Sequence, residues 1–210
     1  EPIPAKNDAC QHNDGAFGDD GKLYLIPRND RRVISFDPRR EKWEPFGDEL
    51  PAGDSKWIGA ARCSDGCIYA LPGKARQALK IDPAAGTVTL FGDDLSALAS
   101  KSGAGGEFKW HGTVLADDGF LYGIPLQANG VLKFDPITGS ASIFGDLTAE
   151  KATSYVSGIY CPTDGCIYAP PWGASRCLRI DPVTKTVSFI GDKLVTNQYY
   201  GGAIGVDGRI

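Results

Sequence analysis

The sequence contains no methionine, only two histidines and no long apolar run. No segment approaches the roughly 18 consecutive apolar residues of a membrane-spanning helix, and no apolar core of a signal peptide is present, so we expect no direct membrane insertion. The absence of methionine predicts that an initiator has been removed, or that the sequence is a processed or partial product. Residues 1–13 form an N-terminal extension that suits a mature N-terminus left by cleavage of a targeting segment.

Recognisable catalytic signatures are also missing. The sequence has no Gly-x-Ser-x-Gly, no His-Glu-x-x-His, no phosphate-binding glycine-rich loop and no dinucleotide fingerprint. His12 and His111 are the only side chains that ordinarily titrate near neutrality. We therefore expect a protein that is not an enzyme and that holds no cofactor.

The net charge gives no general attraction for polyanions. It is −4, and the sequence pI is near 5.2. Nucleic acids and anionic membranes attract chains with a basic excess. We expect no nucleic-acid partner, and any basic binding site must be local.

One pattern recurs four times with constant spacing. An Asp-Gly is followed by Pro after seven residues, by Asp-Pro after 17 and by the Asp of a Gly-Asp after 28. The four sets are Asp20, Pro27, Asp37 and Asp48; Asp65, Pro72, Asp82 and Asp93; Asp118, Pro125, Asp135 and Asp146; and Asp164, Pro171, Asp181 and Asp192. Short apolar runs rich in strand-forming residues lie between these points.

Each copy is predicted to be a four-stranded antiparallel meander. Asp-Gly between two apolar runs is a strong hairpin signal, and Asp-Pro-x-x-Gly suits a type I turn closed by a left-handed glycine. The copies begin 45, 53 and 46 residues apart, within the range of propeller blades of about 40 to 50 residues. The runs are apolar at consecutive positions, which is expected where both faces of a sheet are covered.

The predicted fold is an all-β propeller of four-stranded antiparallel blades in a single domain, residues 1–210. The blades are expected at 14–50, 57–95, 108–148 and 155–194, with a partial fifth at 199–210. Because the fifth copy stops inside a strand, we expect a native chain that continues and a ring of six or seven blades. The alternative is a four-bladed ring in which the last strand clasps the first blade.

The repeat resembles a known family. Each copy carries three motifs in order: Asp-Gly-x-Ile-Tyr-x-x-Pro, x-Leu-x-Ile-Asp-Pro and Gly-Asp. This combination is similar to the propeller repeats of protist and algal proteins, and those repeats are loosely similar to NHL and kelch propellers. The resemblance covers residues 14–210 and implies the fold, but little about function, since the motifs are turn and core residues. Glu41 and Lys185 replace the turn-closing Gly86 and Gly139, so strained or differently shaped hairpins are expected there.

Propeller geometry predicts one variable face, formed by the loops after each Pro and after each Gly-Asp. The candidate binding residues on it are Trp57, Trp110, His111, Trp172, Arg31, Arg32, Arg76 and Arg176. Aromatic rings rimmed by cations are able to hold a sugar, an anion or a peptide; alternatively, these rings wedge between blades. The longest connection between blades, residues 94–108, is expected to form one helical turn at residues 95–100. We also expect it to make a contact that the shorter connections do not make.

The repeated aspartates are interpreted as structural. Those of the Asp-Pro turns are expected to accept a backbone N–H two residues further on, and those of the Gly-Asp pairs are expected to cap loops. No metal site is predicted, although a calcium ion at an inter-blade loop stays an alternative.

The sequence contains six cysteines. Two pairs flank Asp-Gly turns and are candidates for bridges across a hairpin, and the remaining two form a possible long-range pair. The candidate pairs are Cys63 with Cys67, Cys161 with Cys166, and Cys10 with Cys177. The even count favours a secreted or organellar-lumen location over the cytoplasm, whereas buried reduced thiols are the alternative.

These observations favour a non-catalytic scaffold or accessory subunit whose variable loop face binds a protein partner or joins a larger assembly. One alternative is a lectin-like binder of carbohydrate or another small ligand at an aromatic channel mouth. A further alternative is a lactonase-like hydrolase, but the inner-strand positions offer Gly, Ala, Val, Thr and Ile rather than metal ligands. Open projection of Trp57, Trp110 and Trp172 would favour ligand binding, and burial between blades would favour the scaffold.

Overall fold

A computed structural model describes residues 10–98, 108–147, 155–194 and 199–205. Within these ranges the chain forms sixteen β-strands and no helix. In the described part of the longest connection, Leu98 N–H donates to Leu95 C=O at 3.2 Å, which closes a turn. Residues 99–107 of that connection and residues 206–210 of the fifth copy lie outside the described residues.

The strands group into four sheets in chain order, and every neighbouring pair is antiparallel. Blade one contains β1 (His12–Phe17), β2 (Leu23–Pro27), β3 (Val33–Asp37) and β4 (Lys42–Phe46). Blade two contains β5 (Ala61–Arg62), β6 (Ile68–Ala70), β7 (Ala78–Asp82) and β8 (Thr87–Phe91). Blade three contains β9 (Trp110–Leu115), β10 (Leu121–Pro125), β11 (Val131–Phe134) and β12 (Ala141–Phe144). Blade four contains β13 (Ile159–Cys161), β14 (Cys166–Ala169), β15 (Cys177–Asp181) and β16 (Thr186–Ile190). The predicted meanders are confirmed.

The Asp-Gly turns are held by a side-chain pair that recurs in every blade. In blade two, Asp65 Oδ1 accepts the Cys67 N–H at 3.0 Å, and Oδ2 accepts the Tyr69 hydroxyl at 2.8 Å. The other blades have the same aspartate–tyrosine pair at Asp20 and Tyr24, Asp118 and Tyr122, and Asp164 and Tyr168. Each carboxylate therefore fixes its hairpin and anchors the following strand.

The Asp-Pro turns have one shape in all four blades. Asp135 Oδ1 accepts the Ile137 N–H at 2.8 Å, as expected two residues on. Glu41 and Lys185 adopt φ of 52° and 54°, which is the left-handed conformation that glycine adopts in the other two turns. The hairpins are therefore not differently shaped, and a side chain in this region costs about 1–2 kcal/mol.

The hydrophobic core lies between successive blades. Three clusters of buried side chains each combine one blade with the next. Leu50, Leu95 and Leu147 follow the last strands of blades one to three, and each is buried in the cluster shared with the following blade. The inner strands β1, β5, β9 and β13 adjoin in that order, which places the blades around a common axis.

The candidate disulfides are not formed, because all six cysteines are free thiols. Cys161 and Cys166 lie directly opposite each other on β13 and β14, but Cys166 Sγ lies 3.5 Å from Asp164 C=O, to which it donates. Burial raises the pKa of Cys63 to about 12 and the pKa of Cys67 to about 11. These thiols are protonated at neutral pH, as expected for the alternative of buried reduced cysteines.

Candidate functional site

The aromatic residues that open the inner strands hold the loops of their own blade. Trp57 Nε1 donates to Gln77 C=O at 2.9 Å, and Trp110 Nε1 donates to Gly130 C=O at 3.1 Å. The equivalent pairs are Tyr155 hydroxyl with Arg176 C=O at 3.1 Å and His12 Nε2 with Arg32 C=O at 2.9 Å. Both indoles are buried in the core clusters between successive blades.

Two buried lysines link successive blades. They were not among the residues predicted from the sequence. Lys56 Nζ donates to Asp30 C=O in the preceding blade, and Lys109 Nζ donates to Ala75 C=O at 3.2 Å. Burial lowers the pKa of both lysines. The available signal was the repeated Lys-Trp at the start of blades two and three.

A cluster of rings lies where the inner strands of blades three and four meet the partial fifth copy. We call it the axial mouth: Phe108, His111, Trp172 and Tyr200. The His111 ring is buried and stacks on Phe108 with centroids 5.7 Å apart. Tyr200 meets the Trp172 ring edge-on at 5.4 Å.

Hydrogen bonds orient the imidazole of His111. Its Nδ1 lies 2.6 Å from Val156 C=O, so this nitrogen carries the proton, and Nε2 faces the Tyr200 hydroxyl at 3.4 Å as an acceptor. Burial lowers the pKa of His111, and the positive charge of Arg28 lowers it further. The imidazole is therefore neutral at pH 7 and presents an acceptor towards the mouth.

A second concave region, the cationic cleft, has a volume of 390 Å³. Its lining residues are Pro51, Ala52, Gly53, Asp54, Lys56, Trp57, Lys74, Ala75, Arg76, Gln77 and Leu90. Arg76 forms two hydrogen bonds with Asp94 Oδ2, from Nε at 3.0 Å and from Nη2 at 2.5 Å. Lys74 Nζ lies 2.6 Å from Asp54 Oδ2. The cleft thus combines two ion-paired cations, Lys74 and Arg76, with apolar side chains.

Arg31 and Arg32 support one wall of this cleft. Arg31 Nε donates to Leu50 C=O at 3.0 Å, its C=O accepts the Leu50 N–H at 2.7 Å, and its Nη1 lies 3.3 Å from Glu49 Oε1. Arg32 Nη1 donates to Gly47 C=O at 3.4 Å. These contacts hold the segment that leads into Pro51.

The candidate residues do not converge on one site. His111 and Trp172 each contact Tyr200 at the axial mouth, Trp57 and Arg76 line the cationic cleft, and Trp110 is buried in the core between blades two and three. Arg176 lies apart, and its Nε is buried without a hydrogen-bond partner in the described part of the chain.

Metal ligands do not cluster in the described residues, where no group of three or more His, Cys, Asp or Glu side chains is able to hold an ion. The same residues contain no helix long and apolar enough to cross a membrane.

Solved structures of other proteins share this fold. Virginiamycin B lyase from Staphylococcus aureus matches with a TM-score of 0.68 and 14% identity over 87% of this chain and 55% of that chain. A streptogramin B lyase matches with a TM-score of 0.65 and 17% identity over 87% of this chain and 54% of that one. Hydrazine synthase from Kuenenia stuttgartiensis matches with a TM-score of 0.62 and 14% identity over 89% of this chain and 50% of that chain. The shared fold confirms the predicted β-propeller.

These comparisons show the fold alone, because the sequence identities are only 14% to 17%. The chain spans about half the length of these three structures. No protein-family model matches it, and no curated protein matches it either. Membership of the protist and algal repeat family stays a prediction.

Proposed function

We propose that this propeller is a non-catalytic scaffold that binds a protein partner through the cationic cleft. The observation that carries the proposal is the combination of Lys74, Arg76 and a half-exposed Leu90 around one concavity. The chain as a whole has a net charge of −4. A local excess of positive charge on such a protein selects partners with an acidic segment.

The surroundings of the cleft suit recognition of a peptide segment. Trp57 and Lys56 form a rigid base, because each is tied by a hydrogen bond to a backbone carbonyl. Arg76 offers a planar fork of donors that matches a carboxylate. Its present partner, Asp94, is exposed, so an incoming carboxylate is able to compete for the guanidinium at little cost.

The test is a charge reversal. The double variant Lys74→Glu/Arg76→Glu is compared with Lys185→Glu/Arg39→Glu, which changes net charge equally at two exposed Asp-Pro turns. Both proteins are used to capture partners from the native source at moderate salt. We expect one protein that wild type and the control retain and the cleft variant loses. Equal retention by both variants would overturn the assignment of the cleft.

A second candidate function is binding of a small ligand, such as a carbohydrate, at the axial mouth. It is favoured by the edge-on pair of Trp172 and Tyr200 beside the acceptor nitrogen of His111. Aromatic faces and a few oriented polar groups are typical of such sites. A glycan array signal lost in Trp172→Ala and kept in Phe189→Ala would support it, since Phe189 is an exposed ring on β16. No signal from wild type would reject it.

A further inference from the structure

The outermost strand of blade two has an open edge. Within the described part of the chain, β8 is the last strand of its sheet and pairs only with β7. Thr87, Thr89 and Leu90 of this strand are exposed. Open edges in natural sheets are usually protected by a charged residue or a proline, and β8 contains neither. The edge is therefore able to accept a further strand.

Blade one shows which way the backbone of Leu90 points. Pro45 in β4 lies opposite Ile34 of β3. Leu90 has the same place in β8, opposite Leu79 of β7. Proline has no N–H to donate, and within a sheet it occupies positions of an edge strand whose N–H side faces away from the neighbouring strand. The N–H of Leu90 is thus directed away from β7.

Blade three supports the same orientation. The Ala141 N–H donates to Asp93 Oδ2 of the preceding blade at 2.9 Å, so it points outward from its own sheet. Ala141 lies two residues before Ile143, which is the equivalent of Leu90. Alternate residues of an antiparallel strand direct their N–H and C=O groups to the same side. The N–H and C=O of Leu90 therefore both face the open edge.

This edge adjoins the cationic cleft. Leu90 lines the cleft together with Lys74 and Arg76. Val88, the other residue of β8 that points outward, is 7% exposed because Gly47 of blade one packs against it. The free part of the edge is centred on Leu90, so a segment that pairs there passes alongside the two cations.

The equivalent edge of blade four lacks such cations. Phe189 in β16 has the same register position as Leu90 and a similar exposure, 37% against 41%. The concavity beside β16 contains Asp164 and no lysine or arginine in its described lining. Charge therefore distinguishes the edge of blade two from an otherwise similar edge in the same molecule.

We propose that β8 binds an extended acidic segment of the partner by strand addition, with an apolar residue of the segment opposite Leu90 and a carboxylate two residues away. Main-chain hydrogen bonds at the edge supply affinity in this mode, and alternate side chains supply specificity. Residues two apart share one face of a strand, so the apolar residue and the carboxylate both face the side of Leu90, Lys74 and Arg76. The inference rests on the proposed function, because it names how the same cleft recognises its partner.

Fluorescence anisotropy with a defined peptide tests the edge and the charge separately. The probe is labelled Thr-Val-Thr-Glu-Thr-Val-Thr-Glu, whose valines and glutamates share one face, and a second probe has lysine in place of glutamate. Wild type is expected to bind the acidic probe and not the basic one. Leu90→Pro removes the outward N–H and should weaken binding by about fivefold or more. Phe189→Pro is the matched control and should bind as wild type does. Pro45 shows that a blade accepts proline at this position.

Hydrogen exchange of single amides, followed by NMR, tests the pairing in the unaltered chain. The Leu90 amide is expected to exchange rapidly in the free protein, because its N–H faces the open edge. In the complex with the acidic probe it should become protected, since a carbonyl of the added strand accepts this N–H. Docking through side chains alone would leave the exchange rapid.

The outcomes separate this inference from the proposed function. Lys74→Glu/Arg76→Glu is expected to lose the acidic probe. If that variant loses the probe while Leu90→Pro binds as wild type does and the Leu90 amide stays unprotected, strand addition is overturned and the cleft assignment stands. Binding that survives the charge reversal would overturn both. Failure of wild type to bind the acidic probe would overturn strand addition.

Discussion

The Tyr122 hydroxyl donates a hydrogen bond of 2.7 Å to Asp118, and Lys133 Nζ lies 2.8 Å from the same carboxylate oxygen. Tyr122 is fully buried between blades three and four, so this pair links the Asp-Gly turn to the inter-blade core. The equivalent Tyr168 donates to Asp164, but this hydrogen bond is exposed and the tyrosine is only half-buried. The same pair therefore exists in a covered and an uncovered setting within one molecule.

Removing the hydroxyl should cost more in the covered setting. Tyr122→Phe is expected to lower the free energy of unfolding by about 1 kcal/mol, since a part-buried hydrogen bond to a carboxylate is lost. Tyr168→Phe should cost less, because water replaces the lost donor for Asp164. Urea denaturation of both variants measures the difference. Equal losses, or a larger loss for Tyr168→Phe, would contradict the buried role of the Asp118 pair.

Stability should fall in acid through Asp118. Burial alone would raise the pKa of this carboxyl, but the hydrogen bonds from Lys133, Tyr122 and the Phe120 N–H outweigh it and leave the pKa below its usual range. The stabilisation is complete above the unfolded-state pKa of about 3.9 and is lost as the pH falls through the folded-state pKa. The stability gap between wild type and Asp118→Asn should thus be largest at pH 7 and shrink in acid. A gap that grows in acid would show that the carboxylate does not stabilise the fold.

Close approach of two inner strands should make one glycine irreplaceable. Gly59 has φ of 80°, and a Cβ there would lie 2.7 Å from Gly112 Cα in the neighbouring blade. Gly119 has almost the same φ, 79°, but open space around the Cβ position. Gly119→Ala should cost only the left-handed strain of about 1–2 kcal/mol. Gly59→Ala should cost at least about 1 kcal/mol more, because backbone has to move. Thermal denaturation compares the pair, and similar melting temperatures would contradict the inter-blade contact.

Most of the fold was predictable because each turn is determined by residues that are adjacent in the sequence. Asp65 and Gly66 determine a hairpin, and Asp82 with Pro83 determines the next turn, so four repeats of this spacing predict four meanders. The turn at Glu41 shows the limit of such reasoning. The surrounding strands impose the left-handed conformation even though the local residue disfavours it.

The site was less predictable because its residues come from distant repeats. His111 and Tyr200 are 89 residues apart, and no local pattern indicates that they meet. The equal spacing of Trp57 and Trp110 in successive repeats predicted either a ring of ligand-binding aromatics or a structural role. In the structure both rings are buried between blades, and both donate to backbone carbonyls. The cysteine count suggested bridges, whereas burial keeps the thiols of Cys63 and Cys67 protonated.

Cross-linking mass spectrometry with an amine-reactive reagent tests the proposed partner site most directly. Lys74 lies in the cationic cleft, whereas Lys22 and Lys185 lie at turns on the opposite face. In a complex with the co-purifying protein, we expect intermolecular cross-links from Lys74 and none from Lys22 or Lys185. Cross-links from Lys22 and Lys185, with Lys74 reacting only within the chain, would contradict the assignment of the loop face as the partner surface.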